Sequence, residues 1–304
     1  MVDEMLGTAS VLAPGTCGEL VQGMTGGVDF LVTCPINQFA RATVTLFRSD
    51  QPGELVRGID HLPKTRQAVT VALSRLRKYI GTAGIVADVA VANPIPVGKG
   101  MGSSSADITA AVCATGRAAG VELTPDAVAK IALAVEPTDG VMFPGIAMFD
   151  HRRGKVVDLL GAPPPMEVIA IDRGGQVDTL EFNRVDRTEH WRSVASATAE
   201  ALELVREGIR RCDPDLVGRG ATISARAGRP DGAEPWVARA TDFAAEIGAA
   251  GVNVAHSGTV VGILLDARKR QSKPAFREAQ IEFANAESVQ HFRIIGGGAR
   301  DLAA

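Results

Sequence analysis

The stretch Pro94-Ile-Pro-Val-Gly-Lys-Gly-Met-Gly-Ser-Ser-Ser-Ala-Asp107 decides how the rest of this chain is read. Gly98, Gly100 and Gly102 lead into Ser103, Ser104 and Ser105, and an alanine-rich run with helical composition follows from Ala106 to Ala119. Upstream, Ile85-Val-Ala-Asp-Val-Ala-Val91 has strand composition, so the segment sits in a strand–turn–helix context. A glycine-rich turn that opens a helix points several backbone N–H groups and the positive end of the helix dipole at one place, which suits a phosphate. The serine hydroxyls add donors, and one of them can ligate Mg²⁺. Serine is costly inside a helix unless it caps or binds, because it competes for backbone hydrogen bonds. The segment is not a Walker A loop, since Lys99 is followed by Gly100 rather than by Ser or Thr. It also lacks the wider glycine spacing of a dinucleotide fingerprint. The plainer alternative is a glycine turn before a helix that binds nothing.

Two further motifs weigh against that alternative. Ala13-Pro14-Gly15-Thr16-Cys17-Gly18-Glu19-Leu20-Val21-Gln22-Gly23 stands near the N-terminus, and Gly251-Val-Asn-Val-Ala-His256-Ser257-Gly258-Thr259-Val-Val-Gly262 near the C-terminus. With Pro-x-x-x-Gly-x-Gly-Ser-Ser-x-Ala between them, the three motifs in this order resemble the GHMP kinase superfamily of galactokinase, homoserine kinase and mevalonate kinase. The finer pattern around Thr16-Cys17-Gly18-Glu19 and Lys99-Gly100-Met101-Gly102 is similar to the L-threonine kinase branch, linked to cobalamin synthesis and propanediol utilisation. The resemblance implies a two-lobed α+β fold. Residues 1–162 would form an ATP-binding lobe like ribosomal protein S5, and residues 166–304 an α+β C-terminal lobe. It further implies ATP and Mg²⁺ as cofactors and transfer of phosphate to the hydroxyl of L-threonine, with homoserine, serine or another small hydroxylated metabolite as alternative acceptors. A GHMP-fold sensor without turnover is a third possibility.

Composition sets the outer bounds. At 304 residues the chain suits one large domain or two lobes. A hydrophobic content of 46% supports a sizeable core and argues against disorder. With 4% aromatic residues, a single tyrosine and a net charge of −3, the chain offers neither a base-stacking platform nor a basic footprint, so nucleic acid is not an expected partner. Met1-Val-Asp-Glu-Met-Leu-Gly-Thr has no positive n-region, and Asp107 and Arg117 interrupt the longest apolar candidate, Ala106 to Val121. Cys17, Cys34, Cys113 and Cys212 form no CxxC pair, and the histidines show no metal-ligand spacing. The expectation is a cytoplasmic protein with reduced thiols, free of membrane, acting on a small molecule as a monomer or homodimer.

Along the chain, Ala9–Pro14, Val28–Thr33 and Phe39–Phe47 read as separate short strands. Pro63–Ile80 reads as a helix with Val69, Leu73 and Leu76 on one face. Thr124-Pro125-Asp126 is a helix start, with Thr as N-cap and Pro at N1, leading to Ala127–Val135. Gly161-Ala-Pro-Pro-Pro165 is the clearest linker. Beyond it, Glu167–Asp172 predicts a strand, and Glu189–Arg211, Asp215–Ala227 and Pro235–Gly248 predict helices. Val252–Ala255 and Thr259–Leu265 follow as paired strands, then a helix over Lys273–Ala286 and a strand over His291–Ile295.

Phosphoryl transfer needs phosphate donors, a metal and an oriented nucleophile, sometimes with a carboxylate to take its proton. The candidate nucleotide-binding residues are Pro96, Val97, Gly98, Lys99, Gly100, Met101, Gly102, Ser103, Ser104 and Ser105. By position, the resemblance gives Ser104 to Mg²⁺ and Ser103 and Ser105 to phosphate, while simple N-capping is the alternative for Ser105. Asp139 matches the aspartate base of galactokinase and mevalonate kinase, although Asp-Gly also suits a plain turn. Glu136 is the candidate second metal ligand. Lys99 could neutralise phosphate or stay solvated. Mevalonate kinase has a first-motif lysine that helps activate the hydroxyl, and Thr16-Cys17-Gly18 offers none. Glu19 and Gln22, with Asp139, are the candidate substrate contacts, and Glu19 could equally cap a backbone group.

Overall fold

The structure is a computed structural model of the chain and describes residues 4–50, 54–81, 84–155, 157–177, 179–228 and 233–302. Two strands of 22 residues each, β1 (Glu4–Thr25) and β2 (Val28–Ser49), form one long hairpin. Gly26 and Gly27, at φ 56° and 78°, make its turn, because a two-residue hairpin that matches strand twist needs positive φ at both positions. The short separate strands expected from sequence are therefore continuous. Pro14 and the glycines after it interrupt the ladder without ending it: the register shifts between Pro14 and Thr16, Thr16 and Glu19, and Glu19 and Val21. Such bulges bend a strand and re-aim its side chains. Here they fall on the first motif.

β3 (Glu54–Arg57) lies parallel to β4 (Gly84–Ala92), and α1 (Pro63–Ile80) makes the crossover between them. Pro63 sits in the first helical turn, and Ala68, Val69, Ala72, Leu73 and Leu76 form its buried stripe. α2 (Ser103–Ala118) follows the glycine loop and buries 14 of its 16 residues, packed against β1, β2 and α1. Only a run of alanine, glycine and other small side chains lets a helix be covered on nearly every side. α3 (Pro125–Leu133) begins as expected, with Thr124 Oγ1 accepting from the Ala127 N–H. A hairpin that sequence reading missed, β5 (Ile146–Phe149) with β6 (Val157–Gly161), pairs with β2 through β5.

After Gly161, β7 (Met166–Asp172) enters the second half of the sheet. The helix expected over Glu189–Arg211 is two helices, α5 (Thr188–Ser193) and α6 (Ala195–Arg211), broken at Val194 and preceded by α4 (Thr179–Arg184). α7 (Pro214–Ala227) and α8 (Glu234–Glu246) lead into β8 (Gly251–Val254) and β9 (Val260–Asp266). α9 (Ser272–Glu282), shorter than expected, precedes β10 (Ser288–Arg293) and β11 (Arg300–Asp301). The sheet order is β10-β7-β9-β8-β1-β2-β4-β3, so one curled sheet runs through both halves, with β1 at the middle. A Glu19–Val254 pair joins β1 to β8. A large core lies under β1, β2 and α2, and a second cluster packs Phe243 and Phe283 against Ile169, Ile171 and Ile263. Among the described residues no helix is long and apolar enough to cross a membrane.

Candidate active site

The glycine-serine loop walls a cavity of about 490 Å³, to which residues 96–98 and 100–105 contribute. Helix α2 starts at an N-cap glycine, Gly102, in left-handed conformation (φ 67°) with no side-chain cap. Its first-turn N–H groups are those a helix cannot satisfy internally. Asn93 shapes the loop before it. Its amide Nδ2 donates to the Ser103 carbonyl, to Ser103 Oγ and to Asp107 Oδ1, and its Oδ1 accepts from the Ile95 N–H. Ser103 Oγ in turn donates to the Ile95 carbonyl at 3.1 Å. Ser103 thus braces the loop internally, a role its position alone did not reveal.

Ser104 and Ser105 reach the opposite wall, the segment from Glu136 to Asp139. Ser104 Oγ donates to Glu136 Oε1, whose other oxygen accepts from Lys64 Nζ at 2.5 Å. Ser105 Oγ donates to Asp139 Oδ2 at 3.1 Å and accepts from the Asp139 N–H and from Thr138 Oγ1. Ser105 is therefore a holder of Asp139 rather than an N-cap. Burial pushes the Asp139 carboxyl up to about 6; the Ser105 hydrogen bond opposes that shift and the nearby Glu136 charge adds to it. Gly102 is required here for space as well as for φ, since a Cβ would lie 3.0 Å from Thr16 Cγ2 and 3.1 Å from Asp139 Oδ2. Ser104 and Glu136 are hard oxygen donors already in contact. They fit Mg²⁺, which takes one or two protein oxygens and completes its shell with phosphate and water.

Lys99 and Gln22 are placed differently from the other candidates, since neither lines the cavity. The Lys99 ammonium is buried between Asp172 Oδ2 at 2.8 Å and Glu287 Oε2 at 2.7 Å. Burial alone would lower its pKa, but the hydrogen bonds and charges of those two carboxylates reverse the shift and raise it. Asp172 also accepts from Thr259 Oγ1 at 2.6 Å, and the Lys99 carbonyl accepts from the Thr259 N–H at 2.9 Å. The third motif thus holds the loop tip from behind. Gln22 Oε1 faces His256 Nδ1 at 2.8 Å, and His256 lines the cavity together with buried Glu19 and His151. Cys17, behind Glu19, has its thiol pushed up to about 12 by burial and by the Glu19 charge, which leaves it an inert packing group. Sequence reading missed Lys64, His151 and Asn93. Only Asn93, a polar residue at the end of a strand just before the loop, left a local trace.

A helix N-terminus opened by glycines and serines, a hydroxyl–carboxylate pair and a second carboxylate of raised pKa surround one cavity, as in a small-molecule phosphotransferase. Residues 67–145 match the family described as GHMP kinases N terminal domain. The chain belongs to this family and is an ATP-dependent kinase acting on an alcohol group. It is 32% identical over 257 residues to an L-threonine kinase of Salmonella typhimurium, covering 84% of this chain and 82% of that protein. It is 31% identical over 253 residues to an L-threonine kinase of Citrobacter freundii, covering 83% and 85%. Among solved structures, the homoserine kinase from Cytophaga hutchinsonii shares the fold with a TM-score of 0.70 at 18% identity, covering 97% of this chain and 98% of that one.

Proposed function

We propose that the chain phosphorylates the side-chain hydroxyl of L-threonine, giving O-phospho-L-threonine. The observation that carries the chemistry is the juxtaposition at the start of α2: Ser104 on Glu136, and one residue later Ser105 on Asp139. ATP would lay its phosphates on residues 98–105 (Lys99 through its backbone), with Ser104 and Glu136 holding Mg²⁺. The ion would neutralise phosphate charge when bound. Asp139, oriented by Ser105 and Thr138, accepts the proton of the acceptor hydroxyl. Lys64 gives the site a fixed cation that can follow the phosphates once Glu136 turns to the metal. Glu19, at 4% exposure, offers a carboxylate to the acceptor's ammonium.

The choice of threonine rests on the L-threonine kinases that the chain resembles over most of its length. Its product would then feed the aminopropanol arm of cobalamin. Homoserine is the second reading, favoured by the homoserine kinase neighbour. An acceptor screen following ADP release decides between them. Threonine is expected to exceed homoserine and serine in kcat/KM, and no preference among the three sinks the assignment.

A further inference from the structure

The cavity has a closed end. Glu19, Leu31, Thr138 and His151 all line it, yet each is between 2% and 4% exposed, whereas Val97 on the nucleotide loop is 74% exposed and stands at the mouth. Leu31 differs in kind from these neighbours, being an aliphatic side chain among a carboxylate, a hydroxyl and an imidazole. The other apolar lining residues belong to other parts of the wall. Pro96, Val97 and Met101 are in the nucleotide loop, Pro137 adjoins Glu136, and Val177 holds the loop tip through the Gly98 carbonyl.

Strand geometry turns Leu31 toward the chemistry. Side chains two residues apart on a strand share a face, and so do directly paired residues on adjacent strands. Leu31 therefore stands on the same face of β2 as Thr33, whose Oγ1 accepts from the Gly140 N–H at 3.4 Å. That face looks at the Asp139–Gly140 step. On β1, Glu19 pairs with Thr33 and Gln22 with Leu31, so the Glu19 carboxylate and the Gln22 amide that meets His256 rise from the same side. On its other edge Leu31 pairs with Phe149, which is fully buried and whose Cβ would lie 3.2 Å from a Cβ placed on Gly140. Flanked by Gln22 and Phe149 in a packed interior, the Leu31 side chain has a fixed position.

We infer that Leu31 reads the methyl group of the acceptor and so sets a preference for threonine over serine. The inference rests on the reading of the acceptor as L-threonine and adds the residue that selects its side chain. In threonine the methyl and the hydroxyl share Cβ, one bond from the carbon that carries the ammonium. With the hydroxyl at Asp139 and the ammonium facing Glu19, the methyl meets Leu31 at the closed end. Serine leaves that surface uncovered. An acceptor with a longer chain in place of the methyl meets a wall that cannot yield. One methylene more or less in a fitted apolar pocket is worth about 10- to 200-fold in kcat/KM.

The test measures kcat/KM of wild type, L31A and L31V on L-threonine, L-serine and the threonine homologue with ethyl for methyl, 2-amino-3-hydroxypentanoic acid of the same configuration. Each ratio between acceptors is taken within one preparation, so it does not depend on the fraction of folded enzyme. Wild type is expected to favour threonine over serine and over the homologue by about tenfold or more. L31A is expected to lose about tenfold of the preference over serine and to favour the homologue over threonine, because the ethyl group fills the vacated space. L31V is expected to shift both ratios the same way by less. A merely structural role would lower all three acceptors together. Ratios unchanged in both variants overturn the inference and leave the threonine assignment standing. A wild type without a preference for threonine sinks that assignment instead, and the role of Leu31 falls with it.

Discussion

At Asp139 the demands of folding and of chemistry point in opposite directions. A carboxyl raised to about 6 from 3.8 is protonated more readily in the folded chain than in the unfolded one. Ionising it therefore opposes folding: the cost is absent below about pH 4, grows as pH rises through 6, and is complete above it. At about 1.4 kcal/mol per pKa unit, Asp139→Asn should stabilise the protein by of order 1–3 kcal/mol at neutral pH and by nothing near pH 4. Thermal unfolding at the two pH values measures this. The same substitution should lower kcat by roughly 10²- to 10⁴-fold. In the wild type kcat/KM should fall as pH drops below about 6, where the base is protonated. A profile flat from pH 5 to 8 would remove Asp139 as the base. Gly102→Ala should also cost activity, about tenfold or more, because its Cβ displaces the Asp139 carboxylate and its φ of 67° is strained for alanine. Steady-state kinetics with the fold checked by circular dichroism tests it. Gly102 was legible as part of a local glycine-serine signal, whereas Asp139 was singled out only by the resemblance of the motif order, since an Asp-Gly step alone suits a turn. Lys64 and His151 were not legible: the partner of Lys64 is 72 positions away, and nothing in Pro63-Lys64-Thr65 marks it as part of a site.

Among the elements, the loop before α2 has the most specific support. Its tip is pinned from the second half by the Lys99–Asp172–Glu287 cluster and by the Val177 N–H on the Gly98 carbonyl. Removing the ammonium with Lys99→Met leaves Asp172 buried beside Glu287 without a cation, at a cost of roughly 3 kcal/mol. The KM for ATP should rise with it. The double variant Lys99→Met/Asp172→Asn should regain more than half of both losses, which thermal melts and ATP titrations would show. If Lys99 instead served phosphate directly, the double variant would bind ATP as poorly as the single one. The contrast between this loop and the strands shows what sequence can carry. Helices α1, α3 and α7 were readable because prolines and capping residues mark their starts. The β1–β2 hairpin was not, because Pro14, Gly18 and Gly23 imitate strand ends, and only pairing with β2, up to 44 positions away in sequence, carries the strand past them. β5 and β6 escaped for the same reason, being short strands defined by partners rather than by periodicity.

For the whole molecule, the thiols report on opening. Cys17, Cys34 and Cys113 are buried and Cys212 is exposed. Burial raises the pKa of all three buried thiols, so their thiolates form only when the structure opens. A thiol reagent should therefore label Cys212 at once and the other three slowly. Mg·ATP at about 100 times its Kd stabilises the folded state by about 2.7 kcal/mol and should slow that second phase about 100-fold if it follows global opening. Where the slow phase matches the global unfolding rate, its indifference to nucleotide would count against nucleotide binding. The continuous sheet adds a mechanical consequence. Because β1 belongs to both halves, they cannot swing apart about the Gly161–Pro165 connection alone. Any change in the angle between them must bend β1 as well, and the ladder between β1 and β2 is already interrupted from Pro14 to Val21. Glu19 is carried on that stretch and lines the cavity, so any such bend also moves its carboxylate within the site.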